Sequence, residues 1–292
     1  MKGLDLYTET AKTSAGVVIR RYSTSFSWAS RLFERPVREH IARVYALVRL
    51  ADEIVDGPAE EAGLDVRMRE KLLDELEDET ERALRIGFST NLVVHAFALT
   101  AREHGFGMEL CTPFFASMRR DLDEEVWDAD ALDDYIYGSA EVVGLMCLAV
   151  FESRRSRGGA PARSGDQDRT LHDGARRLGA AFQKVNFLRD FADDRGALGR
   201  TYFAETADGL TDDAKARIVA SIRADLRAAD QAVPLLDRAC RAPVWAAQAL
   251  FRELTDRIEA TPAEVLATTR VRVPDAVKAR ILVRALAVKA MR

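Results

Sequence analysis

Two aspartates spaced four residues apart stand in an apolar stretch, and the same spacing occurs again far downstream. Asp52 and Asp56 lie in the sequence LADEIVD at 50–56. On an α-helix, residues four apart share one face about 6 Å along the axis, so like charges would lie one above the other. The apolar neighbours predict a largely buried helix, where two carboxylates are costly without a compensating cation. Salt bridges to Arg43 and Arg49 are the plain alternative.

The second copy adds amides to the carboxylates. Its polar residues follow at steps of three and four and so share one predicted helix face: Gln183, Asn186, Asp190 and Asp194. Oxygen donors of this kind suit Mg²⁺, with Mn²⁺ as the second possibility. If the two acidic helices pack side by side, at least four oxygen donors converge, and Arg49 and Arg189 are close enough to bind phosphate. The residue types predict a metal-assisted site for a diphosphate attached to an apolar chain.

The elements that must position these residues are predicted to be helices. Apolar residues recur at steps of three and four, and no alternating strand pattern occurs. The fold class is therefore all-α, a single domain over 1–292 built as one large helical bundle around a central cavity. Prolines and periodicity predict ten helices: 9–29, 37–56, 66–85, 90–104, 112–122, 131–153, 168–194, 212–239, 243–259 and 274–290. The linker-like stretch at 153–168 is interpreted as a surface loop, with a domain boundary as the alternative.

Composition narrows the function classes. Hydrophobic residues make up 48% of the 292 residues, enough to bury a core. A net charge of -4 lacks the basic field of a nucleic-acid binder, so no nucleic-acid partner is expected. The longest apolar run, 142–151, is half a membrane span, and no targeting segment is recognised, so we expect a soluble, cytoplasmic protein. Three widely spaced cysteines indicate neither disulfides nor a zinc site and favour a reducing compartment.

Six segments, in order along the chain, resemble the squalene/phytoene synthase family of head-to-head prenyl synthases, which has the all-α isoprenoid-synthase fold. The resemblance is greatest to bacterial phytoene synthases. YSTSF at 22–26 is similar to the family's serine-rich entry motif, and YALVRLADEIVD at 45–56 is similar to its first aspartate-rich motif. YIYGSAEVVG at 135–144 resembles the central helix, and QKVNFLRDFADD at 183–194 resembles the second aspartate-rich motif. GRTYF at 199–203 resembles the diphosphate-contacting tyrosine segment, and RVRVP at 270–274 resembles the basic closing segment.

The resemblance implies a role for each site residue. The metal ligands would be Asp52, Asp56, Asn186, Asp190 and Asp194. The diphosphate oxygens would be held by Ser23, Ser25, Arg49, Arg189, Tyr202, Arg270 and Lys278. The residues facing the reacting chains would be Tyr45, Tyr135 and Gln183. The prenyl pocket would be lined by Phe26, Ser30, Ala42, Ser139, Val143 and Phe187.

The implied enzyme is a Mg²⁺-dependent prenyltransferase of carotenoid biosynthesis. It would join two geranylgeranyl diphosphates through prephytoene diphosphate to phytoene, with release of two diphosphates. Small side chains at Ser30 and Ala42 favour C20 substrates, although close helix packing also explains them. A squalene or dehydrosqualene synthase that uses C15 substrates stays open. No GxGxxG follows a predicted strand, and NADPH is not expected as a cofactor.

Other classes are less consistent with the sequence. A di-iron carboxylate bundle needs Glu-x-x-His pairs, which none of the four histidines forms. A non-catalytic relative that acts in assembly would be expected to lose the metal carboxylates, which are present here. Head-to-tail chain elongation uses differently spaced aspartate motifs. The helix at 276–292 is interpreted as an amphipathic cap, with peripheral membrane contact for hydrocarbon release as the alternative.

Overall fold

The computed structural model describes residues 2–22, 29–123, 129–157, 163–192 and 201–290, and across these ranges it contains long helices and no β-strand. The all-α prediction is confirmed. The long helices are α1 (Gly3–Tyr22), α2 (Arg35–Val55), α3 (Val66–Ile86), α4 (Leu92–His104), α5 (Met108–Asp123), α6 (Ala129–Ile136), α7 (Val142–Arg157), α8 (Gly165–Arg189), α9 (Asp212–Ala232), α10 (Arg238–Ala260) and α11 (Asp275–Ala290). A π-helical turn, Tyr137–Glu141, joins α6 to α7 without a break.

The two acidic motifs lie at the carboxyl ends of their helices. Asp52 is in the last turn of α2, and Asp56 is the residue that ends it. Gly57 follows with φ +124°, a conformation that favours glycine and stops the helix before Pro58. The prediction of one continuous helix over 168–194 is wrong at its end, because α8 stops at Arg189 and Asp190 is its C-cap.

Prolines mark the helix breaks less regularly than predicted. The predicted helix over 212–239 ends at residue 232, where Pro234 lies in a short 3-10 turn, Val233–Leu235. The next helix begins at Arg238, capped by the Asp237 carboxylate, and contains Pro243 within its second turn. Pro243 is the sixth residue of the helix, just beyond the four N–H groups that have no intrahelical partner, so it removes one backbone hydrogen bond, to the carbonyl of Ala239.

The continuous segment from α6 to α7 is packed tightly between α5 and α8. A Cβ on Gly144 would lie 2.4 Å from the Ala175 carbonyl oxygen of α8, and one on Gly179 would lie 2.4 Å from the Ala140 carbonyl oxygen. Only glycine permits this approach of two backbones. The close packing fixes where the first residues of this segment, including Tyr135, stand relative to α8.

The α8 helix is also tied to α9 by buried charge. Asp225 of α9 is buried and accepts hydrogen bonds from Arg177 at 3.0 Å and Lys184 at 2.8 Å. A buried carboxylate with two cationic partners is well compensated. Lys184 belongs to the second acidic motif, so this contact anchors that motif to the bundle.

One helix, Asp130–Ser153, is long and apolar enough to span a membrane by length and composition, with a mean hydropathy of 1.4. Of its most apolar window, 39% is buried inside the structure, with Val142 and Met146 in the apolar core. The three cysteines are free, and burial raises the pKa of the Cys111 and Cys147 thiols to about 12.

Candidate active site

In the first acidic motif, Asp52 and Glu53 share one arginine, Arg49. Asp52, 27% exposed at its side chain, has its Oδ2 3.9 Å from Arg49 Nη1, whereas Arg49 makes a closer ion pair with Glu53. Burial raises the pKa of Asp52 well above its usual range, and the charges of Asp56 and Asp121 add to the effect. The carboxylates of this region therefore favour a cation.

The salt-bridge alternative for this motif holds only in part. Arg43 turns away from the aspartates, pairs with Glu39 at 3.4 Å and lies 3.2 Å from His40 Nδ1. Arg49 also stacks on the Tyr22 ring, with its guanidinium carbon 4.7 Å from the ring centroid.

The second acidic motif is held by arginines. Asp190 Oδ1 accepts a hydrogen bond from Arg189 Nε at 2.9 Å and lies 2.7 Å from Arg270 Nε. Arg270 precedes α11 by five residues, so the basic segment near the end of the chain folds back onto this motif. Asn186 and Gln183, one and two turns before Asp190 on α8, are half-buried.

Tyr135 lies within reach of both motifs. Its side chain is buried, its hydroxyl donates to Asp121 Oδ2 at 2.9 Å, and its ring centroid is 6.0 Å from that of Phe187 in the second motif. Burial raises the pKa of Tyr135, and the negative charges of Asp121 and Asp56 raise it further. Among the described residues, α2 and α8 do not pack along their lengths; both pack against α7, so the expected side-by-side packing of the two acidic helices is corrected to an arrangement with α7 in contact with each.

An aromatic cluster, defined as Tyr135, Phe187, Tyr202 and Phe203, covers this region. The rings of Phe187 and Tyr202 stack with centroids 3.9 Å apart, and Tyr202 lies 5.6 Å from Tyr135. Phe203 meets Phe187 edge-on at 5.8 Å. The buried aromatic cluster lies beside the carboxylates and arginines of the two motifs, so apolar and charged surfaces are adjacent in this region.

The remaining predicted residues are placed less directly. Ser30 and Ala42 are buried, and Val143 packs against the main apolar core. The Ser139 hydroxyl, on the π-helical turn, is buried without a hydrogen-bond partner. Four predicted residues lie outside the described ranges: Ser23, Ser25, Phe26 and Asp194.

Two other predicted residues lie near known partners. Tyr45 is half-buried and lies one turn before Arg49 on α2. Lys278 is in the first turn of α11, where its ammonium pairs with Asp275 at 3.0 Å. Contact of Lys278 with a diphosphate stays a prediction.

Asp121 is a site residue that sequence reasoning missed. It is 7% exposed, sits on the apolar helix α5 and contacts Tyr135. The available signal was an acidic residue four positions after Ser117 on the buried face of a helix, a place where an isolated carboxylate is rare.

A separate cluster could in geometric terms hold a metal ion: the ligand atoms of His40, Glu103 and His104 lie within 4.8 Å of one another. It is about 18 Å along α2 from Asp52, since twelve residues separate the two positions. His40 Nδ1 is 3.0 Å from Thr100 Oγ1, and His104 Nδ1 is 2.6 Å from Ser153 Oγ. Arg43 beside His40 adds a buried positive charge that opposes a cation there.

The donor set around Tyr135 fits a divalent cation better. Asp52 and Asp56 stand at the carboxyl end of α2, where the helix dipole already disfavours negative charge. Carboxylate oxygens without nitrogen or sulfur donors are typical ligands of Mg²⁺ or Mn²⁺. In the second motif, Asp190 is available to a cation only by exchange for its arginines.

The fold and the sequence both match known proteins. The chain is 29% identical over 262 residues to phytoene synthase 3 from Zea mays, covering 84% of this chain and 58% of that one. It is 28% identical over 298 residues to the phytoene synthase of Mycobacterium tuberculosis, covering 92% and 88%. A solved dehydrosqualene synthase superposes with a TM-score of 0.78 at 19% identity, over 98% of both chains.

The structure therefore has the isoprenoid-synthase fold, as the resemblance implied. The family profile described as squalene/phytoene synthase matches residues 19–276, most of the sequence. The chain belongs to the squalene/phytoene synthase family.

Proposed function

We propose that the protein is a Mg²⁺-dependent, head-to-head prenyl synthase that condenses two geranylgeranyl diphosphates to phytoene. The observation that carries the proposal is the pair of half-buried carboxylates, Asp52 and Asp56, near Tyr135, together with the arginines at Asp190 and the aromatic cluster. Diphosphate chemistry needs cations, and an isoprenoid chain needs an apolar wall. Both requirements meet at this site.

The leaving diphosphate would be bound at the acidic motifs. Asp52, Asp56, Asn186 and Asp190 would hold Mg²⁺, which supplies the positive charge that stabilises a departing diphosphate. Arg189 and Arg270 already stand together at Asp190 and can exchange that carboxylate for phosphate oxygens. The allylic C–O bond can then break without a strong acid.

The carbocation left behind needs surroundings that do not trap it. Stacked rings such as Phe187 and Tyr202 exclude water and present faces that stabilise positive charge. The cation alkylates the C2–C3 double bond of the second prenyl diphosphate, and loss of a proton as the cyclopropane ring closes gives prephytoene diphosphate. This intermediate loses its diphosphate in turn, and proton loss from the rearranged cation gives phytoene without a hydride donor.

The relatives support the choice of product. The Zea mays and Mycobacterium tuberculosis proteins are phytoene synthases, although the chain spans only 58% of the maize protein. We further propose a single domain in the cytoplasm, with peripheral membrane contact when the hydrocarbon leaves. NADPH is not expected as a cofactor.

Product analysis tests the proposal. Purified protein with MgCl₂ is incubated with geranylgeranyl or farnesyl diphosphate, each with and without NADPH, and the hydrocarbons are identified by mass spectrometry. We expect phytoene from the C20 substrate in all Mg²⁺-containing reactions and no product with EDTA. Squalene formed only from the C15 substrate with NADPH would overturn the phytoene assignment, and no hydrocarbon from either substrate would overturn the synthase assignment.

A further inference from the structure

Asp121 is not among the residues assigned above to the metal or the diphosphate, but its helix, α5, makes two hydrogen bonds to Tyr135. Asp121 Oδ2 accepts the hydrogen bond from the Tyr135 hydroxyl at 2.9 Å. One turn earlier, Ser117 Oγ donates to the backbone carbonyl of Tyr135 at 3.1 Å. Both acceptor and donor are buried, so water does not compete for these bonds. The same helix face therefore fixes the backbone and the phenol of one residue.

Glycine keeps the two helices in contact at this point. A Cβ on Gly138, one turn after Tyr135, would lie 2.2 Å from the Pro113 carbonyl oxygen and 2.1 Å from Ser117 Oγ. No side chain fits there without separating the helices. The distance from Asp121 to Tyr135 is thus set by backbone packing.

The hydrogen bond determines what the phenol can offer. Its hydrogen is bound by a carboxylate, so the oxygen retains only its capacity to accept. A charge-assisted bond of this kind is stronger than a neutral one and increases the electron density of the phenol. The ring belongs to the aromatic cluster, 5.6 Å from Tyr202.

We propose that Asp121 is a positioning residue that holds the Tyr135 phenol in the aromatic cluster as an electron-rich hydrogen-bond acceptor beside the cationic intermediates. This role rests on the proposed function. Asp121 acts through Tyr135 and makes no contact of its own with the substrate. Its loss therefore slows the chemical steps and leaves binding of the diphosphate largely intact.

Kinetics of four variants test the role: Asp121→Asn, Asp121→Ala, Tyr135→Phe and the double variant Asp121→Ala/Tyr135→Phe. Asp121→Ala is expected to lower kcat about 100-fold, with KM for the prenyl diphosphate within about twofold of wild type. The double variant should match Tyr135→Phe within about threefold, because both changes remove one function. Asp121→Asn keeps an acceptor oxygen and should recover about tenfold of the loss.

The matched control is Asp134→Asn. Asp134 is 79% exposed at its side chain and lies 3.8 Å from Arg120, the residue beside Asp121. Its variant should have wild-type kinetics. Equal losses in Asp121→Asn and Asp121→Ala, together with multiplicative losses in the double variant, would overturn the proposal.

A measurement without turnover separates this proposal from the proposed function. With 3-fluorotyrosine at position 135, ¹⁹F NMR reports the pKa of that phenol. We expect a lower pKa in Asp121→Asn, because a neighbouring negative charge is removed, and no change in Asp134→Asn. An unchanged pKa in Asp121→Asn would overturn the role of Asp121. If wild-type protein converts no prenyl diphosphate, the proposed function fails, while the NMR result still decides whether Asp121 controls Tyr135.

Discussion

The two acidic motifs share the spacing of four residues, yet their carboxylates have different neighbours. In the first motif, Asp52 and Asp56 both belong to the end of α2, and Arg49, one turn before Asp52, is closer to Glu53 than to Asp52. In the second motif, Asp190 ends α8 and lies against Arg189 and Arg270. Among the described ion pairs, Asp52 thus shares one arginine with a second carboxylate, whereas Asp190 has two arginines to itself.

Motifs with the same spacing of aspartates can therefore have different charged neighbours. The first motif is suited to take up a divalent cation directly, because its carboxylates repel one another in a buried setting. In the second motif, Arg189 and Arg270 pair with Asp190 and would bind a diphosphate when it replaces that carboxylate. The two halves of the site would thus contribute opposite charges to the same substrate.

The largest expected effect is loss of turnover when either motif loses a carboxylate. Asp52→Asn and Asp190→Asn should each lower kcat by about 10³-fold, or about 4 kcal/mol in the activation barrier, because charge stabilisation of the leaving group is lost. Hydrocarbon formation measures the rate, and circular dichroism checks helicity. Asp74→Asn is the control, since Asp74 is an exposed partner of Arg119. A near-normal rate in either motif variant would remove that motif from the proposed metal site.

The next effect is stabilisation by Mg²⁺ in the absence of substrate. At 100 times its dissociation constant, a bound ion should raise the free energy of unfolding of the wild type by about 2.7 kcal/mol. Urea unfolding with MgCl₂ or EDTA measures the increment. Asp52→Asn should lose most of it, while Asp74→Asn keeps it. An undiminished increment in Asp52→Asn would show that the ion binds elsewhere, for example at the cluster of His40, Glu103 and His104.

A smaller effect is expected from the arginine side of the comparison. Arg270→Gln should raise KM for the prenyl diphosphate about tenfold, or about 1.4 kcal/mol, because a phosphate ligand is lost. Its kcat should change by less than about threefold, since Arg189 remains. Steady-state kinetics measure both constants. Arg272→Gln, an exposed neighbour in the same segment, serves as the control; an equal rise in KM there would point to general charge instead of a specific contact.

The smallest expected effect is a difference in the free energy of unfolding between variants of the two motifs when no metal is bound. At pH 7 in EDTA, Asp52→Asn should raise the free energy of unfolding by about 1 kcal/mol, because it removes a buried charge among like charges. Asp190→Asn should lower it by a similar amount, because two arginines lose their partner. Urea unfolding of both variants measures the difference. The same sign in both would contradict the electrostatic contrast.

The pH dependence follows from the raised pKa of Asp52. The folded protein binds the Asp52 proton more tightly than the unfolded chain, whose aspartates titrate near pH 3.9 or so. The contribution of Asp52 to stability is therefore greatest below about pH 3.9 and is lost as pH rises through the folded pKa. The stability difference between Asp52→Asn and wild type should widen as pH rises from about 4 to 7 in EDTA. A constant difference would contradict the raised pKa.

Much of the fold was predictable because helix periodicity is a local property. The span predicted at 66–85 matches α3 (Val66–Ile86), and 37–56 matches α2 (Arg35–Val55), each within two residues. The position of the first acidic motif could also be predicted, because both of its aspartates lie at the end of one helix. The end of α8 at Arg189 could not be predicted, because the apolar pattern of the sequence continues to Phe191 and Ala192.

Contacts between distant segments could not be predicted from the sequence. The Asp121–Tyr135 hydrogen bond depends on how closely α5 and α6 approach each other. Gly138 permits this close approach, but a glycine in the sequence does not by itself indicate one. The pairing of Arg270 with Asp190 joins residues eighty positions apart. In both cases the residue types were visible, while their partners were set by tertiary packing.

Binding of inorganic pyrophosphate in the presence of Mg²⁺ tests most directly whether the two motifs form one site. Isothermal titration of wild type, Asp52→Asn, Asp190→Asn and the double variant completes a mutant cycle. We predict that each single variant weakens Mg²⁺-dependent binding about as much as the double variant does. Additive losses, with the two motifs contributing independently, would contradict a shared metal and diphosphate site.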